Sequence, residues 1–428
     1  MSGPVDAARA GLRRIVIVGG GLAAHSAAST LRQEGYSGDI TLLSGEQHLP
    51  YDRPPLSKDF LDGTVDSTVL PGDYDALAID VRLQCPAVEL APDAVRSTAG
   101  LHPYDGLILA TGSTPVRLPG QSALPHVLEL RTLADAQALQ TALADASTVT
   151  VIGAGWIGAE VATAVAARGG RVTVVDAGPA PLARVLPVEI GRHLSGWYTD
   201  AGIDLRLNRA VVHIDARGVV LADGERLDAD VTLVGVGARP ETAWLEGSGL
   251  TRSPDGAVVV DSRLRAGRAD VFAAGDIIRW PSSLFGADLR VEHWEHAAAS
   301  GRTAARNLLG ADEPYDPVPY FWSDQLGHRV QYAGHHTADD TLVFRGRPDG
   351  GQPWTALWLR DNRLRAALTV DRPRDLMDAR RLVARQAELQ PGPASDPDQR
   401  LSTATAGTGH RTALPTAAGA DQPHAPAR

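Results

Sequence analysis

Residues 13–46 read RRIVIVGGGLAAHSAASTLRQEGYSGDITLLSGE, and this stretch decides the fold. Arg13 to Val18 is an apolar run of strand length that breaks into Gly19, Gly21 and Ala24 at the spacing GxGxxG/A. A small-residue helix follows, then a second strand, DITLLS, that ends close to Glu46. In such a βαβ unit the first glycine makes a tight turn and the second lets the backbone approach a pyrophosphate. The helix N-terminus then offers partial positive charge to that group. A carboxylate about twenty residues further on, here Glu46, can accept hydrogen bonds from ribose hydroxyls.

The pattern returns at residues 147–178, STVTVIGAGWIGAEVATAVAARGGRVTVVDAG, with Gly153, Gly155 and Gly158 in the turn and Asp176 closing the second strand. Gly19 and Gly153 lie 134 positions apart, whereas one βαβ unit needs roughly thirty residues. The sequence therefore predicts an α/β protein with two Rossmann-like dinucleotide-binding domains, one for a flavin and one for a nicotinamide. The Asp176 carboxylate would accept from an adenosine 2′-hydroxyl and repel a 2′-phosphate, which favours NADH over NADPH. Arg184, eight residues later, is the feature that would favour NADPH.

The composition excludes several other classes. No run approaches eighteen apolar residues, so no membrane span is expected, and the charged start MSGPVDAARAGLRR lacks the apolar core of a secretion signal. The expected compartment is the cytoplasm. A single cysteine, Cys85, rules out an internal disulfide, a thiol relay and a cysteine-held metal cluster, and no metal site is expected. A formal charge of -10 argues against non-specific binding to nucleic acid or to an anionic membrane.

PYDRPPLSK, Pro50 to Lys58, stands out because Lys58 is the only lysine among 41 Lys and Arg residues. A chain that uses arginine wherever a planar fork suffices has kept one compact ammonium here, which points to a need for a point charge. The prolines stiffen the segment. Further on, YDGLILATGS brings Thr111 and Gly112 to the end of an apolar strand, and ADVFAAGDI does the same for Asp276.

Taken in order, GGGLAA, PYDRPPLSK, ATG, GAGWIGAE, AAGD, EHW and FWSDQ resemble the oxygenase-coupled ferredoxin reductases. These are FAD enzymes of the two-dinucleotide-domain flavoprotein superfamily, and the resemblance runs from about residue 13 to about residue 388. It implies that Asp276 bonds the flavin ribityl chain and that Arg53 and Lys58 lie against the flavin. It further implies that Glu160 reaches Lys58 near the flavin N5, that Trp156 gates the nicotinamide pocket, and that Trp294 and Trp322 wall the ring system. The residue chemistry agrees: an ammonium about 4 Å from the negative charge that hydride transfer brings gains roughly 4 kcal/mol at an effective dielectric of 20, before desolvation. Disulfide reductases of the superfamily carry C-x4-C-x-x-K here, and counting back from Lys58 puts Pro55 and Pro50 at the two cysteine positions. Electrons must then leave the flavin directly.

The expected division is residues 1–115 and 241–318 for the FAD-binding domain, 116–240 for the NAD(P)H-binding domain and 319–390 for a C-terminal α+β domain. Residues 391–428, rich in Pro, Ala, Gly, Thr and Ser, form an expected disordered tail. Residues 319–390 carry eleven Arg against nine Asp and Glu, so this module is basic on an acidic protein and suits an acidic partner. The leading functional reading is NADH:ferredoxin reduction, with FAD passing electrons to an iron–sulfur ferredoxin and thence to a cytochrome P-450 type monooxygenase or a Rieske oxygenase. Delivery to quinone, oxygen or rubredoxin, and a redox-sensing FAD/NADH-binding module, are the alternatives. A monomer and a homodimer are both compatible with the sequence.

Overall fold

The computed structural model describes residues 11–121 and 124–405. Its first layer begins with strand β1 (Arg14–Val18), helix α1 (Leu22–Gln33), β2 (Asp39–Leu43), β3 (Ile79–Arg82) and β4 (Gly106–Leu109). β1, β2 and β4 are short, mainly apolar runs, as strands covered on both faces require, whereas the edge strand β3, IDVR, alternates. Ile15 to Val18 and Leu107 to Leu109 are buried accordingly.

The chain then crosses to a second sheet made of β5 (Val127–Leu128), β6 (Thr148–Ile152), β7 (Arg171–Val175), β8 (Asp204–Arg206) and β9 (Val231–Val234), with helices α2 (Leu133–Ala144), α3 (Trp156–Ala167) and α4 (Val188–Asp200). Its strand order is β8-β7-β6-β9-β5, and every pairing is parallel. The outgoing and returning connections run side by side as an antiparallel ribbon, Ser113–Pro115 against Ala238–Pro240. Back in the first domain, β10 (Val271–Ala273) completes a parallel sheet of order β10-β4-β1-β2-β3, and α5 (Trp294–Leu308) packs on α1 through small buried residues such as Ala23, Ala27 and Ala304. Both sheets are doubly wound, and both end their central strand in a glycine turn.

The third unit is antiparallel: β11 (Tyr320–Gln325), β12 (His328–Gly334), β13 (Thr341–Arg345), β14 (Trp354–Arg360) and β15 (Arg363–Val370) in the order β11-β12-β15-β14-β13, followed by α6 (Pro373–Ala384). One face of this sheet, with Val330, Trp354, Trp358 and Leu368, packs on Ile190 and Leu194 of α4. Leu357, Leu364 and Ala367 join the core that α6 shares with the first domain. The sheet is therefore wedged against both dinucleotide domains and can present residues to the space between them.

Residues 391–405, expected within a disordered tail, are folded. Helix α7 (Pro391–Ser395) buries Ala394, and Leu401 and Ala404 are also buried. Arg345, itself fully buried, pairs with Asp375 at 2.8 Å and donates to the carbonyls of Ala394, Asp396 and Gln399. Three separated small apolar residues and a set of backbone acceptors leave no periodic trace, so composition alone reads this segment as solvated. Residues 406–428 lie outside the described residues. Among the described residues no helix is long and apolar enough to cross a membrane.

Candidate active site

The three units enclose one cleft of about 880 Å³, within the range of cofactor sites, about 300–1,000 Å³. At its floor Gly19 has φ +130, and a Cβ there would lie 2.0 Å from the Ala110 carbonyl oxygen, so only glycine lets the β1–α1 turn close against the strand carrying Thr111 and Gly112. A Cβ on Gly21 would meet nothing within 4 Å. The open space before this glycine, at the start of α1, is what a pyrophosphate on a helix N-terminus needs. Ala24 is fully buried and does not line the cleft; it brings helix and sheet together.

Glu46 lines the cleft under a tight grip. Tyr51 Oη donates to its Oε2 at 2.5 Å and Arg53 Nη2 to its Oε1 at 2.6 Å. Arg53 also donates to Tyr51 Oη at 2.8 Å and to the Arg131 carbonyl at 2.7 Å. PYDRPPLSK thus folds back on the acid of the first βαβ unit, as a stiff segment whose Pro54–Ser57 turn is a single 3-10 turn.

Lys58 follows that turn. Its Nζ lies 2.7 Å from Glu160 Oε2, with the lysine side chain 18% and the glutamate 4% exposed. Ser57 Oγ donates to the same oxygen at 2.5 Å, and Ser323 Oγ to Glu160 Oε1 at 2.6 Å. The pair expected from the sequence is therefore formed, between residues 102 positions apart, on the wall of the cleft.

Asp276 accepts from Ser113 Oγ at 2.8 Å and from Arg131 Nη2 at 2.7 Å. Burial works to raise its pKa, but the Arg131 charge and the two hydrogen bonds win and hold the carboxyl below its usual value. In two nearby histidines burial outweighs the opposing pull of Asp276: it lowers His293 to about 3 and His296 to about 4, so both are neutral.

Aromatic side chains close the rim. Trp156, the first residue of α3, packs edge-on to Phe321 at 4.6 Å, and Trp294 lies 6.3 Å from Trp322 in a T-shaped pair. Trp294 Nε1 donates to Asp52 Oδ1 at 2.6 Å. All four aromatics line the cleft.

Gly153, Gly155, Gly158 and Asp176 stand apart from this cleft, at the turn of the second unit. Asp176 does not project freely: its Oδ2 accepts from the Ala154 amide at 2.7 Å and its Oδ1 from the Gly178 amide at 2.6 Å. Arg184 donates to the Val236 carbonyl at 2.9 Å.

Sequence reasoning missed Arg131, Ser113, Ser57 and Ser323. Arg131 sits just before the capping Thr132 of α2, and one arginine among forty-one Lys and Arg residues carries no mark of a buried partner. Tyr51 and Ser57 lie inside the quoted stretch but do not show whom they will bond.

The chain matches the pyridine nucleotide-disulphide oxidoreductase family over residues 13–301 and the reductase C-terminal family over residues 320–405. It is 38% identical over 406 residues to rhodocoxin reductase from Rhodococcus erythropolis, covering 92% of this chain and 94% of that protein. It is 37% identical over 402 residues to the anthranilate 1,2-dioxygenase system ferredoxin--NAD(+) reductase component from Burkholderia cepacia, covering 91% and 98%. In structure it resembles the ferredoxin reductase for the CYP199A2 system from Rhodopseudomonas palustris, with a TM-score of 0.87 at 32% identity over 92% of this chain and 100% of the other. With two glycine-turn sheets meeting at one cleft and prolines where disulfide reductases have thiols, the chain belongs to the pyridine nucleotide-disulphide oxidoreductase family, in its branch of ferredoxin reductases of oxygenase systems.

Proposed function

We propose that the protein is an NADH:ferredoxin reductase, in which bound FAD supplies the change from a two-electron hydride to single electrons for an iron–sulfur ferredoxin feeding a cytochrome P-450 type or Rieske oxygenase. The observation that carries the reading is the Lys58–Glu160 pair, 2.7 Å long, on the wall of a cleft whose neighbouring segment holds Pro50 and Pro55. An ammonium fixed there stabilises negative charge delivered with a hydride, and Glu160 holds it in place through the ion pair. No thiol stands in that segment to divert electrons.

In this reading Gly19, Gly21 and the start of α1 hold the FAD pyrophosphate, Glu46 its ribose, and Arg53, Asp276, Thr111 and Gly112 the rest of the floor. Trp294 and Trp322 wall the ring system. Gly153, Gly155, Gly158 and Asp176 take the nicotinamide dinucleotide, and Trp156 guards its entry. We read the coenzyme as NADH, because the Asp176 carboxylate opposes a 2′-phosphate. We take the compartment to be the cytoplasm, where an NADH pool is at hand.

For the ferredoxin, the outer face of α6 offers exposed Arg374 and Arg381 around Met377, which is 52% exposed. Arg363 and Arg365 are less suited. The first pairs with Glu388 at 3.8 Å, and the second donates to the carbonyls of Leu284 and Phe285, tying the C-terminal sheet to the first domain. The test is turnover of purified protein with NADH and a panel of 2Fe–2S, 3Fe–4S and 4Fe–4S ferredoxins, followed as cytochrome c reduction. Cytochrome c reduction that requires one of them is expected; a rate that no ferredoxin changes would overturn the reading.

A further inference from the structure

The Glu160 carboxylate is nearly closed to solvent and accepts three donors from two other units: Lys58 Nζ at 2.7 Å and Ser57 Oγ at 2.5 Å on one oxygen, Ser323 Oγ at 2.6 Å on the other. Lys58 and Ser57 belong to the first dinucleotide domain, Glu160 to the second, and Ser323 to strand β11 of the C-terminal sheet. Ser323 is itself 1% exposed and does not line the cleft. It stands behind the acid, and its hydroxyl receives a further hydrogen bond from Gln325 Nε2 at 3.3 Å. That bond leaves its own proton directed at Glu160.

A buried carboxylate is costly unless its lone pairs are filled, and a hydrogen bond to its charged form keeps it charged. If Oε1 were left bare, Glu160 could recover the lost bond by rotating Oε1 toward Lys58 or Ser57, and the ammonium would follow. Ser323 blocks that rotation. We propose that Ser323 is a positioning residue through which the C-terminal sheet sets the Lys58–Glu160 pair, so that this unit shapes the redox site as well as offering a docking face. The inference rests on the reading of Lys58 as a residue that faces the flavin.

The step affected is the charge balance on arrival of the hydride. No bond forms or breaks at Lys58, Glu160 or Ser323 in this step. The role is one of geometry, and it predicts coupling. Ser323→Ala is expected to slow anaerobic reduction by NADH by about tenfold and to shift the flavin midpoint potential, whereas Ser323→Thr, which keeps the hydroxyl, should restore most of both. In a Glu160→Gln background, Ser323→Ala should add less than about twofold, because the two residues act through one group.

The experiment is stopped-flow reduction and potentiometric titration of the flavin-loaded full chain for these variants beside Lys58→Met. If Lys58→Met leaves rate and potential unchanged, the flavin-facing reading of the pair fails. If Lys58→Met shifts them and Ser323→Ala does not, the positioning role alone fails. An effect of Ser323→Ala that is equally large with Glu160→Gln, or that threonine cannot rescue, would mark Ser323 as packing only and overturn the proposal.

Discussion

In the first glycine-rich unit Glu46 is gripped by side chains, Tyr51 at 2.5 Å and Arg53 at 2.6 Å, whereas in the second Asp176 is gripped by backbone amides, Ala154 at 2.7 Å and Gly178 at 2.6 Å. The same motif has been finished in two ways. The first acid depends on a segment that also builds the cleft wall, so its geometry is set by tertiary packing. The second stiffens its own glycine turn, so that unit is locally complete, and it lends the cleft Arg131, Val185 and Leu186 besides Trp156, Ile157 and Glu160 from the start of α3. Damage to the first unit should therefore spread to flavin binding, while damage to the second should stay with the nicotinamide.

The largest test of that difference is a matched pair of glycine substitutions. In Gly19→Ala the new Cβ would lie 2.0 Å from the Ala110 oxygen, and in Gly153→Ala 2.4 Å from the Gly235 oxygen, with positive φ at both. Strain of this kind costs of order 1–3 kcal/mol or more per residue. Gly19→Ala is expected to yield protein with little or no yellow colour. Gly153→Ala should keep its flavin, accept electrons from dithionite and lose roughly a hundredfold in reduction by NADH, about 2.7 kcal/mol. Equal flavin loss in both variants, read from the flavin-to-protein absorbance ratio, would erase the distinction.

Acid should separate the units next. His293 and His296 are neutral in the folded protein down to about pH 3 and 4, whereas an unfolded histidine takes up its proton near 6.5. Below pH 6.5 the unfolded chain therefore binds more protons, and each histidine withdraws up to about 2 kcal/mol of stability between pH 6.5 and 5. Asp276, whose folded value is also depressed, acts with the same sign in a lower window; it contributes above its unfolded value and begins to lose that contribution only below about pH 4. Urea midpoints at pH 7 and 5 should show the loss, and His296→Gln should flatten the slope. A slope unchanged by that variant would clear the buried histidine.

Asp176 offers a smaller effect. Because it holds Ala154 and Gly178 and, on the proposed reading, also faces the coenzyme, Asp176→Ala should raise the NADH Michaelis constant through a looser turn and also narrow the NADH preference by about fivefold. Asp176→Asn, which keeps one acceptor oxygen, should narrow the preference with less loss of NADH affinity. Identical behaviour of the two in coenzyme titrations would mean that the turn contacts carry no weight.

The smallest expected change lies furthest from both units. Arg374→Glu with Arg381→Glu should raise the ferredoxin Michaelis constant by about threefold to tenfold and weaken its salt dependence, since complementary charge acts mainly on encounter. NADH–ferricyanide turnover should be untouched. A parallel fall in both assays would point to a folding defect instead of docking.

The two doubly wound sheets, the glycine turns and the candidate pair Lys58 and Glu160 were all readable in one dimension. Strands covered on both faces must be apolar runs, a β-to-α turn over a pyrophosphate needs glycine at fixed spacing, and a lone lysine among arginines is conspicuous because the two cations are not equivalent. What the sequence left open was every bond made between units. The Arg131–Asp276 pair, the hydroxyls of Ser57 and Ser323 on Glu160, and the folding of residues 391–405 over Arg345 join residues far apart in the chain, and even the grip of Tyr51 and Arg53 on Glu46, a few residues away, shows no partner in the sequence. No local propensity or periodicity encodes such partners. They are chosen only when packing removes water and each buried charge must find a donor or an acceptor close by.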